Sequence, residues 1–256
     1  MIYDLQKASF WKRISAFLFD TVIMLVVVVA IAWLMSTVMN YELHFNNMEN
    51  EKNIEKQKIE AEYGCELDLS VGYEQMSEQQ KEMYDKLDKA VSENDTIQAA
   101  AFLLLNYSLV ICIVSTFAAY ALLEFAVPMI FKNGQTLGKK LFSIGVIRTS
   151  TVKASPFVLF VRMLFGKFTI ETVLPMFVLI MMFFGIIGII GPIVILGLAV
   201  LELIAVLATR TRSTIHDLVS DTCVVDMSTQ MVFESEQALM EYKKKIHEEQ
   251  VSNTPY

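Results

Sequence analysis

Three long apolar runs, separated by one polar stretch and by short basic loops, set the organisation of this chain. The run Ile14–Met39 carries a single charge, Asp20; the run 99–131 carries only Glu124; the run 173–208 carries only Glu202. A bilayer core about 30 Å thick takes roughly 20 apolar residues as a helix, because backbone groups in lipid must bond within their own segment. The first run fits one span. The second is longer than one crossing requires and fits one that tilts, kinks or protrudes. As a straight helix the third would measure roughly 54 Å at about 1.5 Å per residue, too long for one crossing. Gly191-Pro192 stands near its middle, where proline removes a donor and glycine permits a turn. The pattern therefore predicts spans at about 14–39, 99–131, 173–190 and 192–208, an all-α membrane protein of about four transmembrane helices.

Shorter patterns fill the gaps. Pro156–Thr172 is apolar but interrupted by Arg162, Lys167 and Glu171, which predicts an amphipathic helix lying in the interface with its basic residues toward headgroups. The competing reading makes 156–172 part of a long third span. Ile144–Thr149 and Thr222–Asp226 are brief and rich in β-branched residues, and predict a small β-ribbon joining the loop after span two to the segment after the last span. Within 40–98, Ser77 and Gln80 have capping-box spacing, and Met83, Leu87 and Val91 follow at helical spacing. A second helical stretch is expected at about 47–63, and a polar helix at about 234–250.

Charge assigns sides to these elements. The chain is 54% hydrophobic and 19% charged, the balance of a membrane protein. Its formal charge of −7 hides two populations. Residues 40–98 hold 6 Lys against 15 Asp and Glu, a net of −9, and the rest is +2. Lys7, Lys12 and Arg13 precede the first span; Lys132, Lys139, Lys140, Arg148 and Lys153 follow the second; Arg210 and Arg212 follow the last. Lysine and arginine in short loops mark the cytoplasmic side, so an even number of crossings separates 132 from 209. That parity supports the helical hairpin. It predicts a multi-pass protein of the plasma membrane with both termini cytoplasmic and the acidic helical insert 40–98 extracellular. The first run is too long for a signal-peptide core and reads as a retained anchor. The expected organisation is a membrane domain of 8–39 with 99–226, the insert 40–98 and a cytoplasmic tail 227–256.

Candidate chemistry is confined to the membrane part. Cys65, Cys112 and Cys223 lie in three segments, and His44, His216 and His247 are equally scattered, so no metal site and no cofactor is expected. Asp20 lies seven residues from Arg13, Glu124 eight before Lys132, and Glu202 eight before Arg210. At about 1.5 Å per residue, each acid sits roughly 10–12 Å inside its basic boundary, so three helices offer acids at one depth. Such residues face a bundle interior or wet cavity and find partners. Two readings stand: a proton or cation site reached from the cytoplasm, or a structural network in which Arg13, Lys139 or Arg210 neutralises the acids. Asn106, Ser108, Ser115, Thr116 and Tyr120 read as packing or backbone-bonded groups. Gly185, Gly188 and Gly191 predict a smooth face for close helix approach, with a hinge as the second reading. The loop with Gly134, Gln135, Thr136, Gly138 and Lys139 is similar in composition to a phosphate-binding loop. It fails the Walker A spacing, because three residues separate the glycines and no Ser or Thr follows the lysine. It reads either as a turn holding anionic lipid or phosphate or as a cytoplasmic turn with snorkelling lysines. With no HExxH, GxSxG or dinucleotide fingerprint, enzyme activity is not expected.

Three blocks in order resemble the signature segments of the RDD family of membrane proteins: Phe10–Asp20, GQTLGKKLFSIGVI at 134–147 and RSTIHDLVSDTCVV at 212–225. Arg13 and Asp20 match the first two residues that name the family, and Asp217 is the match to the third. The blocks bracket most of 8–226, and the insert 40–98 departs from the family pattern. The resemblance implies a membrane fold more than a defined activity. Transport, including sodium/proton exchange, is proposed for some members. It also implies an Arg13–Asp217 clamp of structural kind. Two functions follow as expectations. One is an ion- or proton-coupled transporter using Asp20, Glu124 and Glu202, dimeric or larger because four spans are few for a carrier. The other is a non-catalytic scaffold or accessory subunit whose extracellular insert binds a protein partner. The lipid bilayer is the expected environment in both, and nothing points to nucleic acid.

Overall fold

The computed structural model describes residues 5–252, and they are mostly helical. In chain order the helices are α1 (Phe10–Val38), α2 (Tyr41–Tyr63), α3 (Glu78–Glu93), α4 (Asp95–Phe131), α5 (Leu137–Leu141), α6 (Pro156–Phe183), α7 (Ile190–Ala208), α8 (Ile215–Val219) and α9 (Glu236–Ser252). A 3-10 turn at Tyr73–Gln75 and strands β1 (Ile144–Arg148) and β2 (Thr222–Asp226) are the other regular elements among the described residues. Helices α1, α4, α6 and α7 are long and apolar enough to cross a membrane. Many of their apolar side chains are exposed, Phe183 at 86% and Leu207 at 73%, as a lipid-facing surface requires.

The third span differs from the expectation in extent and in where it ends. Residues 156–172 do not form a separate interfacial helix; they run without a break into 174–183, so the span begins at Pro156. The break after it lies at 184–189, upstream of Gly191-Pro192. There Gly185 (φ 70°) and Gly188 (φ 44°) take left-handed backbone, and a Cβ at either would meet nothing within 4 Å. They are turn residues and form no packing face. Pro192 stands in the first turn of α7, where its missing N–H is an orphan in any helix. Only Gly191 serves close approach, since a Cβ there would lie 2.1 Å from Met182 Cγ.

The chain divides into two compact units, residues 29–115 and residues 1–28 with 116–256. In the first, α2 starts at Tyr41, earlier than predicted, after Asn40 in left-handed backbone (φ 51°). Ser77 caps α3 with Gln80 in a reciprocal capping box. The contacts Glu55–Asn94, Glu62–Lys86 and Tyr63–Glu82 run in opposite order along α2 and α3, so the two helices are antiparallel. Met83 is fully buried against Ile59 and Leu67, with Leu87 beside it, and Val91 packs on the Met48, Ile97 and Leu104 cluster.

In the second unit, β1 and β2 pair antiparallel with Val146 opposite Val224, and Lys7 bridges Val225. Both faces of this ribbon are buried. Ile144, Val146 and Val224 pack with Ala8, Ala16 and Leu159, while Ile147, Cys223 and Val225 pack with Leu5 and Val232. Burial pushes the Cys223 thiol up to about 12. The ribbon thus holds the start of α1, the loop after α4 and the segment after α7 in one place.

Candidate functional site

On an α-helix Arg162 would face away from Lys167 and Glu171, which at i and i+4 share a side. Residues Arg162–Val173 of α6 instead wind as a π-helix, with i→i+5 bonding and about 4.4 residues per turn. Spacings of five and nine then fall close to whole turns, and the three charges share one face. The Thr169 and Thr172 hydroxyls donate to the carbonyls of Leu164 and Lys167, five residues back. A shorter π-turn, Ala121–Ala126, carries Glu124 in α4.

The face of α6 meets Asp217, which is wholly buried in α8. Arg162 donates to Asp217 Oδ1 from Nε at 3.1 Å and Nη2 at 2.8 Å. The expected Arg13–Asp217 pair is present but longer, 3.4 Å from Arg13 Nη2 to Oδ2, while Arg13 Nη1 donates to the Arg212 carbonyl at 2.5 Å. Burial alone would raise the Asp217 carboxyl, but Arg162, His216 and Arg13 hold it well below the usual carboxylate range.

Glu124 is held by three cations. Lys167 donates to its Oε1, Lys139 Nζ lies 3.6 Å from its Oε2, and Arg162 Nη1 lies 3.9 Å from the same atom. Of the predicted neutralising residues, Lys139 is the one at Glu124, while Arg210 is exposed. Burial pushes Lys139 down to about 8, against the opposing pull of Glu124.

Asp20 explains the glycine loop. Its Oδ2 accepts from Thr136 Oγ1 at 2.5 Å and its Oδ1 from the Gly138 N–H at 2.7 Å, while Thr136 caps α5 by accepting from Lys139 N–H. The anion seated on this loop is therefore the chain's own carboxylate, at a helix N-terminus that favours negative charge. A Cβ at Gly138 would stand 2.4 Å from the Ala16 carbonyl oxygen, and one at Gly134 (φ 61°) 2.5 Å from that of Val146. Gln135 donates to the Ile144 carbonyl and ties the loop to β1.

Glu202 is held differently. Its Oε2 accepts from the Ile215 N–H at 3.2 Å, and its neighbours are Glu171 and His216, the ligand atoms of all three lying within 4.8 Å of one another. His216 Nδ1 stands 2.5 Å from Glu171 Oε1 and its Nε2 2.9 Å from Thr214 Oγ1. Burial, and then Arg162, lower the affinity of His216 for a second proton. Among the described residues, neither Glu171 nor Glu202 has a lysine or arginine within salt-bridge distance.

Asp20, Glu124 and Glu202 all line one cavity of about 850 Å³, and Lys139, Arg162, Lys167, Glu171 and His216 line it with them. The three acids do not bond to one another: each has its own partners. Sequence reading passed over Arg162, Lys167 and Glu171 as interruptions and His216 as one of three scattered histidines. The available signal was the five- and nine-residue spacing of the first three.

A model of the RDD family matches residues 7–221. No curated protein and no solved structure matches the chain.

Proposed function

The chain belongs to the RDD family, and from that membership and the cavity we propose that it is an ion- or proton-coupled membrane transporter. In this reading Glu202 and Glu171 receive the coupling cation, while Asp20, Glu124 and Asp217 hold the helices together. The observation that carries it is the difference in pairing. Glu124 and Asp217 each face Lys or Arg and Asp20 accepts from Thr136 and the Gly138 N–H, whereas Glu171 and Glu202 meet the cavity with no Lys or Arg at salt-bridge distance among the described residues. Charge inside a membrane domain is costly unless paired, so two carboxylates left without a cation suit an ion that comes and goes. The basic clusters support a plasma-membrane orientation with both termini cytoplasmic and 40–98 outside. Since four spans are few for a carrier, the working form in this reading is a homo-oligomer.

Cation-driven flux in proteoliposomes tests the reading, with sodium and potassium gradients and matched incorporation. Flux is expected in wild type and lost in Glu202→Gln, with folding retained; Asp20→Asn is expected to lower folded yield. Absence of flux in well-folded wild type would overturn it. A second reading has its own observation: residues 29–115 form a unit with two clusters of their own and expose Phe45, Tyr73 and Tyr84. As a scaffold that binds a protein through this insert, the chain would lose function on deletion of 45–95 and keep it in Glu202→Gln.

A further inference from the structure

Three different elements each bring one donor to the cavity wall: α6 brings Glu171, α7 brings Glu202 and α8 brings His216. We propose that these side chains form an exchangeable site for a divalent transition-metal ion of the Zn²⁺ or Mn²⁺ class. The proposal rests on the cation-handling reading of the cavity and names the class of ion.

The donor set selects that class. Two carboxylates and one imidazole suit first-row transition ions, whereas Mg²⁺ and Ca²⁺ are held by oxygen donors in larger number. Spacing allows it as well. Ligand atoms around a tetrahedral ion with bonds of about 2.1 Å stand roughly 3.4 Å apart. Here the separations run from 2.5 Å for Glu171 Oε1 to His216 Nδ1 up to no more than 4.8 Å.

The surroundings of His216 match those of a metal-bound imidazole, whose second nitrogen donates to an outer partner. Thr214 Oγ1 donates its proton to Asp217 Oδ2 at 2.9 Å, so it accepts from His216 Nε2, with Asp217 Oδ1 3.6 Å behind. That leaves Nδ1 on the side of Glu171. Gly166 lets α6 approach the His216 backbone closely, since a Cβ there would lie 2.4 Å from His216 Cβ. Charge points the same way: among the described residues neither Glu171 nor Glu202 has a Lys or Arg within salt-bridge distance, while Arg162 and Lys167, which attract Glu171 at longer range, are bonded to Asp217 and Glu124. Three protein donors leave a fourth position open toward the cavity, the arrangement of a site that exchanges its ion.

The test uses the full chain, purified without a polyhistidine tag, stripped with a chelator and reconstituted in nanodiscs. Zn²⁺, Mn²⁺ and Mg²⁺ are titrated by calorimetry, and Co²⁺ by visible absorption. Zn²⁺ or Mn²⁺ is expected to bind one per chain, at least tenfold weaker in Glu202→Gln and Glu171→Gln, and unchanged in Tyr120→Phe on the same cavity. The Co²⁺ spectrum should shift in His216→Gln. Failure of Zn²⁺ and Mn²⁺ to bind folded wild type, equal binding in both carboxamide variants, or equal Mg²⁺ binding would overturn the site. Monovalent flux without metal binding would overturn the site and keep the transport reading. Metal binding that maps to these residues without flux would keep the site and overturn transport.

Discussion

Arg162 is more closely paired with Asp217 than Arg13, the arginine that names the family, is. Its guanidinium makes two bonds to Asp217 Oδ1, a carboxylate with no exposed surface, and also faces Glu124. Removing one partner of a buried pair leaves an uncompensated charge at a cost of about 3–5 kcal/mol. Unfolding of the solubilised protein should therefore show a loss of that order for Arg162→Ala and less than half of it for Arg13→Ala, whose contact with Asp217 is 3.4 Å. Arg162→Lys should rescue only part, because an ammonium cannot reproduce the two-nitrogen fork. Asp226 offers a pH readout outside the spans. Lys12 at 2.6 Å, together with Ser228, lowers its carboxyl from 3.8 to about 2. A depressed carboxyl contributes stability above its unfolded value and loses it as pH falls through the folded one. The melting difference between wild type and Asp226→Asn should be constant above about pH 5 and shrink toward about pH 2. A difference that grows on acidification would contradict the pair.

At the scale of elements, Gly138 joins α1 to α5. Because the nearest atom to an added Cβ is the Ala16 backbone oxygen at 2.4 Å, the clash cannot be relieved by rotating a side chain. Gly138→Ala should therefore lower the melting temperature by several degrees, about the 1–3 kcal/mol of an overpacked contact. Gly197, inside α7 with nothing within 4 Å, is the control: Gly197→Ala should be neutral or stabilising by up to about 1 kcal/mol. These elements differ in how far the sequence showed them. The ribbon, the Ser77 cap and the buried face of α3 were legible because each depends on local spacing, two residues in a strand or three and four in a helix. The start of α6 was not. A 3.6-residue period places Arg162 opposite Lys167 and Glu171 and suggests an interfacial segment, whereas π-winding brings all three to one face.

For the whole molecule, the proposed orientation predicts which positions an impermeant maleimide reaches from outside intact cells. In a background with Cys65, Cys112 and Cys223 replaced by Ser, Ser70→Cys should label, and Thr229→Cys only after permeabilisation. Both positions are exposed. Labelling of both from outside would overturn the positive-inside assignment. The number of apolar helices, the ribbon, the polar insert and the family blocks can be read along the chain, because hydrophobic length, period and cap chemistry act over a few neighbouring residues. What each charge does depends on the fold. Asp20, Glu124 and Glu202 look alike as single acids in apolar runs. Their partners are set by residues far along the chain: Asp20 by Thr136 and Gly138, Glu124 by Lys139 and Lys167, Glu202 by Ile215 beside Glu171 and His216. A carboxylate buried in apolar surroundings takes its role from the charges and donors packed against it, and that packing is a property of the folded chain.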